Sequence, residues 1–386
     1  MRKIIISTGL LIGLAGVGYA QKKTDYIPKI HGTIRGKYEY QYEEKEGRFE
    51  VRNARFSLTG NVAPIVSYKA EIDLSDEGAI KMLDAYARVT PLPTFDITIG
   101  QMRVPFTIDA HRSPHQQYCA NRSFIAKQVG NVRDVGATLA YTLQVGIPIR
   151  LEAGIFNGSG LTDQKDFWTN RINYSAKAHL QLPKGFNLVG SVQKISPEKV
   201  DIHMYDIGAY YQSGRWHVEA EFLRKHYANG TFSNVDAFNG FVCYDQLLPK
   251  VFQKISFLGR FDCMSDHSNG KVGDNGSLVV NDAARKRITV GTTLSLAKPF
   301  IADLRINYEN YFYKKDAVVA VSEKDKVVIE LMVLLRCLIG EKVKNRLLQN
   351  RNSLFLSFVY NNLCCMGNLY IFEDKRTKCS KKCFIK

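Results

Sequence analysis

The sequence repeats one short pattern along most of its length, in which apolar and polar side chains alternate at every second position. In FIADLRINYENYFY (300–313), Ile306 and Tyr308 share one face of the segment, whereas Arg305 and Glu309 share the other. Alternation with a period of two is typical of a β-strand with one apolar and one polar face. The pattern recurs often enough to predict about sixteen strands and an all-β protein.

The connectors between the predicted strands alternate in length. Those that follow even-numbered strands are short and often contain Pro or Gly, such as NVAP (61–64) and LPKG (182–185), whereas those that follow odd-numbered strands are longer and polar, such as 228–236. Short turns at one rim and long loops at the other are characteristic of a transmembrane barrel. A soluble sandwich shares the alternation but has no reason for this segregation. We therefore predict a transmembrane antiparallel β-barrel, wide enough at sixteen strands for an aqueous lumen.

The first residues predict export of the protein. Arg2 and Lys3 precede an apolar run (4–17) that is too short to span a bilayer and is followed by small residues, which indicates a cleaved signal peptide at 1–20. No later run approaches the roughly 18 apolar residues of a spanning helix. The predicted barrel occupies 21–335, and the predicted location is the outer membrane.

The last residues, 336–386, differ from the rest of the chain. They contain 11 basic and 3 acidic residues, five of the eight cysteines, and no alternation. We interpret this segment as an atypical tail produced by a frameshift or read-through, with a genuine periplasmic extension as the alternative. Of the net charge of +16, the tail carries +8 and the signal peptide +2, which leaves +6 on the barrel. This mild excess does not predict nucleic-acid binding.

No sequence motif predicts an enzyme. The chain has no G-x-S-x-G, the glycine-rich segment 270–277 is not followed by a helical pattern, and Cys379-x3-Cys383 has no second ligand pair for zinc. We predict no catalytic residue, no metal and no cofactor. A lipid-acting or adhesive barrel and a secreted soluble β-protein are weaker alternatives.

The third long loop, 106–133, is longer than any other connector. Long structureless loops usually have a function, and we predict that this one folds into the barrel and narrows the pore. The alternative is a surface loop that covers the outer rim. Arginine presents a planar fork that suits phosphate oxygens, and cations at a constriction can replace part of an anion's hydration shell. The candidate anion-binding residues are Arg103, Arg112, Arg122, Lys127 and Arg133.

Strand parity also predicts which side chains line the lumen, among them Arg35, Lys37 and Arg305. Basic and acidic residues nearly balance on this predicted face. The loop cations favour a channel for small anions, phosphate among them, whereas the balanced wall leaves open a non-selective or sugar-admitting diffusion porin.

Several segments in order resemble the phosphate-selective porin O and P family. These are IGQMRVPF (99–106), NVRDVGATLAY (131–141) and LEAGIFNGSG (151–160), within a resemblance that covers 29–333. The resemblance implies a sixteen-stranded outer-membrane barrel, often a homotrimer, that passes anions, with phosphate the best known. One departure is that family barrels end close to the last strand, whereas this chain continues beyond Val333.

Overall fold

The structure is a computed structural model that describes most of residues 26–337. Within this range it does not describe residues 77, 130–131, 162–163, 231, 249–251, 275, 277, 297–300, 315–316 and 318. The predicted signal peptide (1–20) and the tail beyond residue 337 lie outside the described residues, so the predictions made for them stay predictions.

Sixteen strands form one closed antiparallel barrel, which confirms the predicted fold. Two further strands form a separate hairpin. The strands are β1 (Lys29–Gln41), β2 (Glu46–Ala63), β3 (Val66–Asp76), β4 (Ala79–Leu92), β5 (Phe95–Arg103), β6 (Arg133–Val145), β7 (Ile147–Phe156), β8 (Asn173–Gln181), β9 (Phe186–Ile195), β10 (Ile202–Ser213), β11 (Trp216–Tyr227), β12 (Val235–Leu247), β13 (Phe252–Met264), β14 (His267–Val272), β15 (Leu278–Asp282), β16 (Arg285–Leu296), β17 (Ile301–Tyr313) and β18 (Lys326–Cys337). A short helix, α1 (Phe124–Val129), lies between β5 and β6. Within the described part of the chain, no helix is long and apolar enough to cross a membrane.

The apolar and polar faces of each strand become the outer and inner surfaces of the barrel wall. On β17, the apolar Ile306 is 44% exposed on the outer wall, whereas Arg305 and Glu309 are 2% and 0% exposed in the interior. In a transmembrane barrel the outward apolar side chains meet lipid and the inward polar ones line the lumen. The predicted orientation of the two faces is therefore confirmed.

The barrel closes where the last strand pairs with the first. The pairing of β18 with β1 runs from Ile30 opposite Cys337 to Gln41 opposite Lys326. Because hydrocarbon offers no water to backbone groups, an unpaired strand edge would be costly in a bilayer. Full pairing with β1 carries β18 to Cys337, beyond the Val333 at which the alternation in sequence ends.

A buried group of three charges lies at this closure. Glu330 on β18 accepts hydrogen bonds from Arg35 of β1, at 2.8 Å from Nε, and from Arg305 of β17, at 2.6 Å from Nη1. Arg35 and Arg305 are 2% exposed and Glu330 is fully buried. One carboxylate thus joins the first strand to the last two.

The short turns define one end of the barrel, the periplasmic end, and the long loops define the other, the outer end. At the periplasmic end, Gly185 has a φ of +87°, and a Cβ there would lie 2.3 Å from the carbonyl oxygen of Gln212. This turn therefore requires glycine. The β3–β4 connector, between Asp76 and Ala79, is a short exception among the outer loops.

The hairpin of β14 and β15 was not predicted. It lies in the long connector between β13 and β16, outside the barrel sheet. Its sequence is rich in Gly, Asn and Ser and alternates weakly, and its pairing is irregular. Tertiary contacts rather than a strand pattern therefore specify it.

We expect that Glu330→Ala destabilises the barrel by roughly 3–5 kcal/mol, because two buried guanidinium groups lose their carboxylate. The temperature at which the folded barrel loses its faster electrophoretic mobility in SDS measures this effect. Glu50→Ala is the control, since Glu50 is 28% exposed and its ion pairs with Lys37, Arg48 and Arg52 are worth at most about 1 kcal/mol. Equal losses in the two variants would contradict the assignment.

Candidate pore constriction

The connector between β5 and β6, residues 104–132, folds into the barrel, as predicted, and we call it the inner loop. Its apolar side chains Val104, Phe106 and Ile125 are at most 2% exposed. They belong to a hydrophobic cluster that includes inward side chains of β10 to β13, such as Met204 and Leu223. The inner wall is therefore not polar throughout, contrary to the sequence interpretation, because the inner loop requires an apolar surface on which to pack.

Carboxylates and an amide of the wall bind the backbone N–H groups of the inner loop. Glu221 on β11 accepts hydrogen bonds from the N–H groups of Ile108 and Asp109, the latter at 3.1 Å. Asp262 on β13 accepts one from Phe124 at 3.1 Å. On β17, Asn307 Oδ1 accepts the N–H of Ala120 at 2.8 Å. These acceptors satisfy backbone donors that no regular secondary structure would satisfy.

Wall cations bind the carbonyl groups of the same loop. Lys177 on β8 donates to Thr107 at 2.6 Å, and Arg35 on β1 donates to Ala120 at 2.7 Å. The carbonyls of the next two residues accept hydrogen bonds from Arg260 on β13, at 2.8 Å, and Arg287 on β16, at 2.7 Å. The inner loop is thus attached to strands around most of the circumference, so it crosses the lumen and narrows it.

Arg112 lies where the inner loop meets β11. Its guanidinium donates to both oxygens of Glu219, one of them at 2.7 Å, and its Cζ lies 5.2 Å from the ring centroid of Tyr118. Burial opposes the charge of Arg112, but Glu219 outweighs burial and raises the pKa of the guanidinium. Arg112 therefore stays positively charged, and its guanidinium is paired with Glu219 and lies over the ring of Tyr118.

Arg103 and Arg122 donate to carbonyl groups within the inner loop. Arg103 Nη1 lies 2.9 Å from the oxygen of Arg112, and Arg122 Nη2 lies 2.7 Å from the same oxygen. Burial lowers the pKa of Arg122 to about 10; Asp109 raises it, whereas Arg55 and Arg35 lower it further. Arg122 therefore lies among cations and is linked to the wall mainly through the loop backbone.

The other two candidates are engaged in ion pairs. Lys127 on α1 lies at the outer end, 3.0 Å from carboxylate oxygens of Asp282 and Glu323. Arg133, at the start of β6, lies 2.7 Å from Asp84 and also contacts a second wall carboxylate. The five candidates thus do not surround one site, and their role in anion binding stays a prediction.

The three residues predicted to line the pore do lie on the inner wall. Arg35 and Arg305 share Glu330, while Lys37 lies 2.9 Å from Glu39 and 3.2 Å from Glu50. Each is paired rather than free in the lumen. Their effect on permeation is likewise a prediction.

The sequence interpretation did not assign a role to Glu219, Glu221 and Asp262, which hold the inner loop in place. Strand parity placed all three on the inner wall, among many other charged residues. Parity cannot show which carboxylates the loop reaches. Only the path of the loop through the barrel distinguishes them.

A cavity of about 580 Å³ lies on the periplasmic side of the inner loop. The loop contributes residues 115–118, and the wall contributes inward residues near the periplasmic ends of β10, β13, β16 and β17. Tyr118, Tyr210 and His217 form its aromatic side. A solute that passes the inner loop enters this space.

We expect that Glu221→Ala loosens the start of the inner loop, because two of its N–H groups lose their acceptor. Single-channel recordings should show more open-channel current noise than the unmodified protein. Glu152→Ala is the matched control, since Glu152 is an inward carboxylate on β7 that pairs with Arg150. If Glu221→Ala shows no increase in current noise, or if both variants show equal noise, Glu221 does not hold the inner loop in place.

Comparisons with known proteins agree with the geometry. The profile of the phosphate-selective porin O and P family matches residues 30–182, which confirms the resemblance. No curated protein matches the chain. Three solved structures share its fold at low sequence identity, so they bear on the fold alone.

The first is the outer membrane channel DcaP of Acinetobacter baumannii, with a TM-score of 0.55 and 13% identity over 80% of this chain and 97% of that one. The second is an anion-selective porin from Comamonas acidovorans, with a TM-score of 0.53 and 9% identity over 81% and 99%. The third is the trimer form of OmpT from Vibrio cholerae, with a TM-score of 0.50 and 10% identity over 81% and 99%. The closed barrel, the match of the phosphate-selective porin O and P profile to residues 30–182 and these folds together support an outer-membrane porin, a channel rather than an enzyme.

Proposed function

We propose that this porin is a channel for the passive diffusion of small anions across the outer membrane. The observation that carries the proposal is an asymmetry within the ion pairs of the lumen. In several ion pairs near the periplasmic end, the cation is more exposed than its carboxylate partner, whereas in the Arg305–Asp303 pair the carboxylate is the more exposed one. Water in the lumen therefore meets more positive than negative charge, although the numbers of the two signs nearly balance.

Three cations show this asymmetry. Lys69 is 22% exposed and its partner Asp84 is 3% exposed. Arg150 is 34% exposed, against 20% and 24% for its two carboxylates, and Lys254 is 34% exposed, against 29% for Asp245. A lumen with low-dielectric walls focuses the field of the charges that line it. The exposed cations should therefore raise the local concentration of anions.

The deeply buried ion pairs present little charge of either sign to the water. Glu219, Asp262, Glu309 and Glu330 are 0% exposed, and the arginines that pair with the last three, Arg287 and Arg305, are 3% and 2% exposed. A covered and paired carboxylate contributes little to the potential in the lumen. This arrangement favours an anion-preferring channel over the non-selective diffusion porin.

The phosphate preference is a finer proposal, and Arg122 supports it. Among the charges that lower the pKa of its guanidinium are Arg55, Arg35 and Arg52. Arg52 is 46% exposed, so this cluster can be reached from the outer end. Several planar guanidinium groups in one place suit the tetrahedral oxygens of phosphate.

We also propose that the porin is a homotrimer in the lipid of the outer membrane, as the trimer form of OmpT suggests. The outward face of β6 to β9 supports this, because Leu151, Ala153, Ala176 and Ala178 form a shallow apolar groove there. Small side chains allow close approach of a second wall. Cross-linking of the detergent-extracted protein tests the proposal, and a pattern of monomers alone would contradict it.

The triple variant Lys69→Gln, Arg150→Gln, Lys254→Gln should lower the anion-to-cation permeability ratio several-fold, since it removes the exposed cations of the lumen. Reversal potentials in a salt gradient across a planar bilayer measure this ratio. The matched control is Lys194→Gln, Arg224→Gln, Lys286→Gln, which removes three charges from outward positions near the outer end and should leave the ratio unchanged. A cation-preferring or unselective unmodified channel would overturn the anion proposal.

Phosphate should reduce the chloride current of the unmodified channel in a saturable way. In Arg52→Gln, we expect the half-blocking phosphate concentration to rise several-fold, because the cluster around Arg122 loses an exposed guanidinium. Arg48→Gln is the control, since Arg48 lies on the same strand, is 55% exposed and pairs with Glu39. The same shift in both variants would indicate a general charge effect and would contradict a phosphate site.

A further inference from the structure

The cavity on the periplasmic side of the inner loop differs in chemistry from the surroundings of Arg122, where Arg55, Arg35 and Arg52 lie nearby. Its volume of about 580 Å³ lies within the range of small-molecule sites in proteins. Its lining combines aromatic rings, amides and hydroxyls with four charged residues, Arg112, Lys254, Asp303 and Arg305. The anion selectivity proposed above does not require the rings and the amides.

Aromatic rings form a continuous row along one side of the cavity. His217 stacks on Tyr118 with ring centroids 4.6 Å apart and an interplanar angle of 20°. It also lies 5.2 Å from Phe241 and 5.8 Å from Tyr210, and Tyr210 lies 5.9 Å from His179. Each ring is held by its neighbours, so the row offers a rigid apolar surface at low entropic cost.

Side-chain amides and hydroxyls line a second part of the cavity, beside charged and apolar residues. Both groups donate and accept hydrogen bonds, which a ring that carries several hydroxyls can match. These residues are Gln116, Gln117, Gln212, Gln253, Ser256 and Ser295. An apolar wall that faces several amides is suited to a ligand with one apolar face and a polar edge.

His217 provides an independent indication of a ligand. It is only 6% exposed, and its Nε2 lies 3.1 Å from Glu219 Oε2. Its Nδ1 is buried without a hydrogen-bond partner among the described residues. A buried polar atom without a partner is costly and calls for an explanation. His217 itself lines the cavity, and a ligand hydroxyl would supply the missing partner once the imidazole ring turns its Nδ1 edge toward the cavity.

We propose that this cavity binds a sugar ring, with the C–H face of the ring against Tyr118 and Tyr210 and its hydroxyls toward the amides. Lys254, 34% exposed, lies at the border of the cavity, so a ring with an anionic substituent binds more tightly than a neutral one. The inference deepens the proposed function by naming a substrate class. Only the preference for the anionic substituent rests on the anion proposal.

The test records single-channel currents of the reconstituted full chain with glucose, glucose 6-phosphate or inorganic phosphate added on the periplasmic side. We expect both sugars to cause brief current blocks, with the phosphorylated sugar effective at lower concentration. Tyr210→Leu should weaken the block by both sugars roughly tenfold, because it removes the stacking face. Tyr210→Phe keeps the ring and should bind within a few-fold of the unmodified channel, and Tyr205→Leu is the matched control on the outward face of β10.

The outcomes separate the two proposals. Block by neutral glucose that depends on Tyr210 supports the ring site, even in a channel whose reversal potential shows no anion preference. Block by inorganic phosphate and glucose 6-phosphate alone, unchanged in Tyr210→Leu, overturns the ring site and leaves the anion proposal standing. No sugar block in a channel of normal conductance also overturns it. Normal open-channel conductance in every variant shows that the barrel has folded.

Discussion

The pairing of β18 with β1 is the interaction on which the rest of the structure depends. A chain in hydrocarbon has no water for its backbone groups, so each strand needs two neighbours and the sheet must close. Closure also determines which face of each strand meets lipid and which lines the lumen. Once the barrel is closed, apolar side chains face lipid, and charged side chains must find partners with one another or with the inner loop. The shared carboxylate of Glu330 lies at this junction.

The same contacts that hold the inner loop also determine the charge that the lumen presents. Glu219, Glu221 and Asp262 bind loop N–H groups or a loop arginine and are thereby removed from water. Cations near the periplasmic end, such as Lys254, have more exposed positions. In the channel that we propose, a nearly balanced set of charges yields an unbalanced potential, because the cations of several ion pairs near the periplasmic end are more exposed than their carboxylates. On that proposal, the attachment of the inner loop and the anion preference follow from one arrangement.

The inner loop and the cavity on its periplasmic side offer a solute different groups. Within the loop, Arg122 lies near the guanidinium groups of Arg55 and Arg35. In the cavity, the row of rings that includes Tyr210 and His217 lies beside amides, hydroxyls and four charged residues. A solute must pass from one region to the other, and conduction requires several weak sites rather than one strong site. A channel with two successive environments can select first by charge and then by shape.

The predictions for regular strands were confirmed, whereas those for the roles of the site residues stay predictions. The alternation on β17 predicted that Ile306 faces outward and Arg305 inward, because a strand has only two faces. The β14–β15 hairpin was missed, because its glycine-rich sequence has no such period. Arg112 and Arg122 are both candidate anion-binding residues by sequence, and the structure shows that they contact different partners, Glu219 and the loop carbonyls. No local pattern records which wall residue a folded loop will reach.

The sequence by itself determined the class of the protein: an all-β chain whose period-two faces and alternating connector lengths are satisfied by a closed transmembrane barrel. These features are local, and local periodicity is preserved in any strand. Only the tertiary structure decided where β18 ends, which inward positions are apolar, and how the inner loop distributes exposed and buried charge. Those outcomes depend on contacts between residues far apart in the chain, such as Ala120 with Asn307. Such contacts form only when the barrel has closed around the inner loop.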